Sequence, residues 1–397
     1  LLSRLPFALT DGQGDVLSEI EADLSTATPM SRLLQGEVGS GKTIVSLLAM
    51  LQVVDAGRQC ALLAPTEVLA VQHARALTQL LSDAAVPATV VVLTGSMSQS
   101  AKKRALLDIV SGQADIVVGT HALIQEGVEF FDLGLVVVDE QHRFGVEQRD
   151  GLRGPHGELP HRLVMTATPI PRTVAMTVFG DLDVSVLDQL PAGRQKISTH
   201  VVPLAEKPGW ASRLWSRARE EIDAGHQVYV VVPKIGDDGD DTEEGVQLFG
   251  DGGREGAKSS DGKIRLTSVT AMNAYLQDVP ALSGVRIGTL HGRMDAAEKT
   301  RVMTAFERAE IDLLISTTVI EVGVNVPNAT LMIIMDADRF GISGLHQLRG
   351  RVGRGGAAGT CLLVTRQEAD GISRERLDAV AGTTDGFELS RIDLQQR

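Results

Sequence analysis

The chain is built from short, unbroken apolar runs separated by longer amphipathic stretches. Ala61–Ala64, Thr89–Leu93, Ile116–Val118, Leu135–Val138 and Leu163–Met165 form one series of such runs. Gln227–Val232, Val285–Thr289, Ile311–Ile315, Leu331–Met335 and Thr360–Val364 form a second. The runs do not alternate polar with apolar as a strand with one wet face would. That pattern fits parallel strands buried on both faces, with helices as the crossovers between them. Two series predict two doubly wound α/β domains. Pro191-Ala-Gly-Arg-Gln-Lys196 reads as the hinge, giving domains over 1–195 and 196–397.

Composition agrees with this and adds one objection. A length of 397 residues exceeds one ordinary core, and 43 % hydrophobic with 22 % charged residues is a soluble globular balance. No apolar run approaches the ~20 residues that span a bilayer, and the N-terminus lacks the profile of a signal peptide. Cys60 and Cys361, the two cysteines, sit in strand-like surroundings, which predicts buried thiols in a reducing cytoplasm. The net charge of −13 opposes a nucleic-acid partner, because phosphate binding favours a basic surface. About half of that net charge lies in the glycine-rich stretch Gly236–Asp261, which is too polar to bury and reads as a disordered surface insertion. Without it the body is mildly acidic, so the objection weakens but stands. Trp210 and Trp215, five residues apart in a helical stretch, read as packing residues.

Gly36-Glu-Val-Gly-Ser-Gly-Lys42-Thr43 matches GxxxxGK[ST] and precedes the helix-prone IVSLLAMLQVV. Its glycines let backbone N–H groups wrap phosphate, and the helix N-terminus adds its dipole. Lys42 would reach the β- and γ-phosphates, and Thr43 would ligate Mg²⁺. Leu135-Val-Val-Val-Asp139-Glu140 ends a buried strand in two acids, where ligands of α/β sheets bind. Asp139 would hold Mg²⁺ through water and Glu140 would orient and deprotonate the attacking water. Alone, that stretch could equally be a strand ending in solvated acids. Gly344–Arg354 separates three arginines with glycines; it is either a basic loop or a source of guanidinium groups for a γ-phosphate, with Arg351 and Arg354 the candidates. Ser316–Pro327 follows a strand, and Gly323 within it would permit a close approach to phosphate.

The ordered set resembles superfamily 2 helicases over nearly the whole chain. GEVGSGKT resembles motif I, DEQH (Asp139–His142) motif II and TATPIPRT (Thr166–Thr173) motif III; STTVIEVGVNVPNA resembles motif V and QLRGRVGR (Gln347–Arg354) motif VI. Leu5–Gln13 resembles the element whose glutamine reads the adenine edge. Within the superfamily the resemblance narrows to the RecG family of fork-remodelling DNA helicases. It rests on Ala64–His73, Gly119–Ile124 and Asp139–Arg149, several of which the translocase family Mfd shares. The final GFELSRIDLQQR resembles the start of the TRG motif, which couples hydrolysis to movement on duplex DNA. RecG proteins also carry an N-terminal wedge domain, whereas this chain opens almost at the adenine-reading element; fork specificity is therefore not assumed for this polypeptide alone. The acidic insertion is not a general feature of the family.

The resemblance implies two tandem RecA-like domains using ATP and Mg²⁺. It assigns the nucleotide to Phe7, Gln13, Gly36, Glu37, Val38, Gly39, Ser40, Gly41, Lys42, Thr43 and Gly323, and the metal to Thr43 and Asp139. Glu140, Gln347, Arg351 and Arg354 would complete the chemistry, with ATP between the lobes. DNA phosphates would meet Thr66, Thr94, Gly95, Thr120 and His121 in one lobe, and His291, Arg293 and Thr317 in the other. Hydroxyl and backbone contacts of this kind need little net positive charge and carry no base information. His142, Thr166, Thr168 and Arg397 would couple the two sites. The expected partners are duplex, forked and junction DNA and a single-strand-binding protein, with the chain a monomer at the nucleoid. Three rivals stay open: an Mfd-like translocase, an RNA helicase, and a nucleotide-gated binding module without motor activity.

Overall fold

The computed structural model describes residues 8–124, 127–139, 159–167, 182–189, 197–233, 267–317, 326–367 and 371–395. The hinge Pro191–Lys196 and the acidic stretch Gly236–Asp261 lie outside these residues. The chain divides into two compact units, Leu1–Ala192 and Gly193–Arg397.

Unit one opens with helix α1 (Asp11–Leu24). Strand β1 (Ser31–Gly36) leads through the glycine-rich loop into α2 (Lys42–Asp55). Then follow β2 (Gln59–Leu63), α3 (Glu67–Asp83), β3 (Val90–Leu93), α4 (Gln99–Val110), β4 (Ile116–Gly119), β5 (Leu133–Asp139), β6 (His161–Thr166) and β7 (Asp183–Leu187). All pairings are parallel, in the order β3-β4-β2-β5-β6-β1-β7. Helix α2 is buried along nearly its whole length, as its unbroken apolar sequence requires of a helix under a sheet.

Unit two runs β8 (Ser198–Pro203), α5 (Trp210–Asp223), β9 (Gln227–Val231), α6 (Val269–Gln277), β10 (Ile287–Leu290), α7 (Ala296–Glu307), β11 (Leu313–Ser316), β12 (Ala329–Ile334), α8 (Ile342–Arg349), β13 (Thr360–Thr365), α9 (Ile372–Gly382) and α10 (Gly386–Gln395). Its sheet, again parallel, has the order β10-β11-β9-β12-β13-β8. Alternate residues serve opposite faces. Tyr229, Val231 and Leu314 pack with Phe306 and Leu348 on one side, while Val228, Val230 and Ile315 pack with Trp215 and Leu276 on the other. Burial on both faces explains why these strands are continuously apolar in sequence. The two sheets are therefore the doubly wound pair that the apolar runs predict, and Cys60 and Cys361 are buried free thiols in them. Burial pushes both thiols up, that of Cys361 to about 12. Trp215 packs in the core, whereas Trp210 is half exposed with Lys207 Nζ 4.3 Å above its ring. No described helix is long and apolar enough to cross a membrane.

Candidate nucleotide and nucleic-acid site

The loop from Gly36 to Lys42 sits where a buried strand hands over to a buried helix. Gly39 and Gly41 adopt φ of 87° and 90°, the left-handed region that an L side chain resists. At Gly41 a side chain would also collide with the Gln13 amide, and at Gly36 with Ser40 Oγ and Leu187. The loop is a cradle that only glycine closes. Lys42 curls back across it, its Nζ donating to the carbonyls of Gly36 at 2.7 Å and Glu37 at 2.9 Å. The ammonium thus stands over the loop at the positive end of α2, which suits phosphate. Val38 is half-buried in the loop, and Thr43 follows on the first turn of α2.

Gln13 has a firmer structural role than its sequence context shows. Thr10 and Gln13 form a reciprocal cap on α1, Gln13 Oε1 accepting from Thr10 N at 3.0 Å. Gln13 Nε2 donates to the Ser40 carbonyl at 2.8 Å, so its buried amide ties α1 to the phosphate loop. The second N–H and the second lone pair of this amide are the groups an adenine edge would engage.

Asp139 ends β5, two strands from β1 in the sheet. Its Oδ2 lies 2.9 Å from His73 Nε2, a partner 66 residues earlier on α3. Thr166 ends β6 between them; β1 pairs Gln35 with Thr166, and β5 pairs Asp139 with Met165. The nucleotide candidates of unit one therefore follow the neighbouring strands β5, β6 and β1. Loop and carboxylate together fit a nucleoside triphosphate with Mg²⁺, because the donors, the cationic lysine and the anionic oxygen are each of the kind the ligand needs.

The nucleic-acid candidates follow the other half of each sheet. Thr66 caps α3 after β2, Thr94 and Gly95 follow β3, and Thr120 and His121 follow β4. In unit two, His291 and Arg293 follow β10 and Thr317 follows β11. Gly95 and Arg293 are exposed, Thr66, His121 and His291 half-buried, and Thr94, Thr120 and Thr317 buried. Glu67 braces one of these turns, accepting from Ser96 N at 3.0 Å and Ser96 Oγ at 2.5 Å. Sequence reasoning did not single out Glu67 or Ser96; the acid one residue after Thr66 was the available signal.

In unit two, Gln347 and Arg351 are buried at the end of α8 and Arg354 is half-buried, its Nε donating to the Gly350 carbonyl at 2.9 Å. The first arginine of the run behaves differently. Arg349 donates to the carbonyls of Val380 at 2.7 Å and Thr383 at 2.6 Å and meets His346 Nδ1 at 2.7 Å, which fastens α8 to the end of α9. Phe7, Glu140, His142, Thr168, Gly323 and Arg397 lie outside the described residues. Among the described residues no cluster of His, Cys, Asp and Glu forms a separate metal site.

Comparison with known proteins matches residues 10–177 to the DEAD/DEAH box helicase family and residues 258–356 to the helicase conserved C-terminal domain. The chain is 54 % identical over 409 aligned residues to ATP-dependent DNA helicase RecG of Mycobacterium tuberculosis, covering 100 % of this chain and 53 % of that protein. It is 45 % identical to the RecG of Bacillus subtilis, with coverage of 100 % and 53 %. The chain thus spans about half the length of these relatives. A solved structure of RecG bound to a three-way DNA junction superposes with a TM-score of 0.79 at 39 % identity, covering 100 % of this chain and 48 % of that one. The helicase Mss116 bound to single-stranded RNA shares the fold alone, at a TM-score of 0.64 and 16 % identity. With two parallel-sheet units matched to helicase domains and identity of this level along its whole length, the chain belongs to the RecG family of superfamily 2 helicases.

Proposed function

We propose that this chain is the motor portion of a RecG-type helicase, hydrolysing ATP to move on duplex or branched DNA. The observation that carries the proposal is the glycine cradle with Lys42 at the head of α2, beside a strand-end carboxylate, in a chain 54 % identical throughout to a DNA helicase. Lys42 exchanges its two carbonyl partners for phosphate oxygens. Thr43 and Asp139 would hold Mg²⁺, which would supply charge neutralisation at the phosphates. Glu140, next in the chain, takes the proton of the attacking water. Arg351 and Arg354 supply guanidinium groups to the γ-phosphate, where charge develops. Gly95 and Arg293, the exposed candidates, contact backbone phosphates, so movement is largely sequence-independent.

Steady-state ATP hydrolysis decides the matter when measured without nucleic acid and with single strands, linear duplex, forked DNA and RNA, using Lys42→Ala as control. Stimulation by duplex or forked DNA that vanishes in Lys42→Ala is expected. Stimulation by RNA alone would overturn the DNA assignment.

A further inference from the structure

His73 on α3 reaches Asp139 at the end of β5, 66 residues away in the chain. The two atoms are 2.9 Å apart and the side chains only 12 % and 14 % exposed. A carboxylate at the end of a strand can rotate about its side-chain bonds. A donor on Oδ2 fixes that rotation, so the carboxylate presents one orientation to whatever lies beyond β5. Outer partners that orient a metal-binding carboxylate change metal affinity without touching the metal.

The second unit provides an internal control. Its strand order β10-β11-β9-β12-β13-β8 repeats β3-β4-β2-β5-β6-β1, so α6 stands where α3 stands. Both helices start with a hydroxyl cap, Thr66 accepting from Leu69 N and Ser268 from Ala271 N. Seven residues after each cap come His73 and Tyr275. Tyr275 packs its ring 6.1 Å from that of Trp215 on α5. In the unit whose first strand leads into Leu204–Gly209 rather than a phosphate loop, this scaffold position is filled by aromatic packing. In the unit with the phosphate loop it carries an imidazole, directed at the carboxylate. Core packing alone gives no reason for that exchange.

We infer that His73 is a positioning residue that orients Asp139 toward the magnesium ion of the bound nucleotide. The inference rests on the nucleotide reading above. Its test is the binding of a fluorescent ADP analogue to the chain, titrated with Mg²⁺ and repeated in EDTA. Three variants are compared with wild type: His73→Phe, which removes the donor; His73→Asn, polar but too short to reach; and His73→Gln, which restores a reaching N–H.

His73→Phe and His73→Asn should need roughly 10-fold or more Mg²⁺ for half-maximal tightening, with affinity in EDTA unchanged. His73→Gln should recover most of the wild-type requirement. Unchanged binding in EDTA also shows that each variant is folded. An unaltered Mg²⁺ requirement in both His73→Phe and His73→Asn would overturn the assignment alone. An equal loss with and without Mg²⁺ would reduce His73 to a structural residue. No Mg²⁺ dependence in the wild-type chain would overturn the nucleotide reading and this assignment with it.

Discussion

The two units repeat one another most closely where no chemistry is expected. Ala56–Pro65 (AGRQCALLAP) and Ala224–Pro233 (AGHQVYVVVP) each end a helix on a left-handed glycine, Gly57 at φ 81° and Gly225 at φ 85°, and then enter the central strand. Gln59 donates its amide to the carbonyls of Ile109 at 3.0 Å and Ala114 at 2.7 Å. Gln227 does the same to Phe306 at 2.6 Å and Ile311 at 2.8 Å. Asp115 and Asp312 each accept a backbone N–H that aligns the next strand, and Thr94 and His291 each donate to a methionine sulfur three residues on. The units diverge beyond the carboxyl ends of the strands. After β1 stands the glycine cradle, after β8 the ordinary turn Leu204–Gly209; α3 offers His73, α6 Tyr275. One joint design carries both sheets, and function is added at the open ends.

The comparison breaks first, and with the largest effect, on turnover. Lys42→Ala in unit one and Arg351→Ala in unit two should each lower DNA-stimulated ATP turnover by about 10³-fold or more, since each removes charge stabilisation at the phosphates. Steady-state kinetics check this; full turnover in Arg351→Ala would make unit two a scaffold and not part of the engine. Arg349→Ala should act on stability instead, removing a buried guanidinium that satisfies the Val380 and Thr383 carbonyls. A loss of about 2–4 kcal/mol is expected in urea unfolding of the chain.

Smaller effects test the shared joints. Gln59→Leu and Gln227→Leu should each cost about 1–3 kcal/mol, because the Ala114 and Ile311 carbonyls lose their amide donor, while those of Ile109 and Phe306 keep Gly112 N and Ala309 N. Gln59→Leu should lose the more in urea melts, because Gln59 Oε1 also accepts from Phe131 N at 2.8 Å and Asp132 N at 3.2 Å; a larger loss in Gln227→Leu would break the comparison. The smallest expected effect is one of pH. Desolvation by burial holds the His161 pKa below its usual 6.5, with Arg58 lowering it further, and its neutral Nδ1 accepts from Met30 N at 3.0 Å. The unfolded chain therefore takes up this proton first, so stability should fall as pH drops below 6.5 toward the lowered folded value. In unit two the register position is Thr360, which does not titrate there. Melts at pH 7.5 and 5.5 should show the His161 component in wild type and not in His161→Gln.

What could be seen in the sequence follows from how local each signal is. The phosphate loop is one contiguous segment, and the interior strands are apolar because both faces are covered. β7 and β8 escaped that criterion because they form sheet edges, where exposure alternates along the strand. β1 is interior, yet it carries Arg32 and Gln35; Arg32 is accommodated by Glu19, Asp23 and Ser185, partners that only the fold assembles. The pairing of His73 with Asp139 spans 66 residues and leaves no trace in spacing. Nor does spacing tell that Arg349, of the three arginines near the end of α8, is already spent on carbonyls of α9 and the turn that follows it.

The burial of both thiols has a practical consequence. Cys60 and Cys361 are the only cysteines in the chain, and each is shielded within a central sheet with its thiol held well above the range where thiolate forms at neutral pH. A maleimide dye should ignore them. One cysteine introduced at an exposed site in each unit, Ser82→Cys and Ser283→Cys for example, could then be labelled cleanly without first stripping the native pair. The wild-type chain is already a dark background on which the distance between its units can be followed, molecule by molecule, through a cycle of hydrolysis.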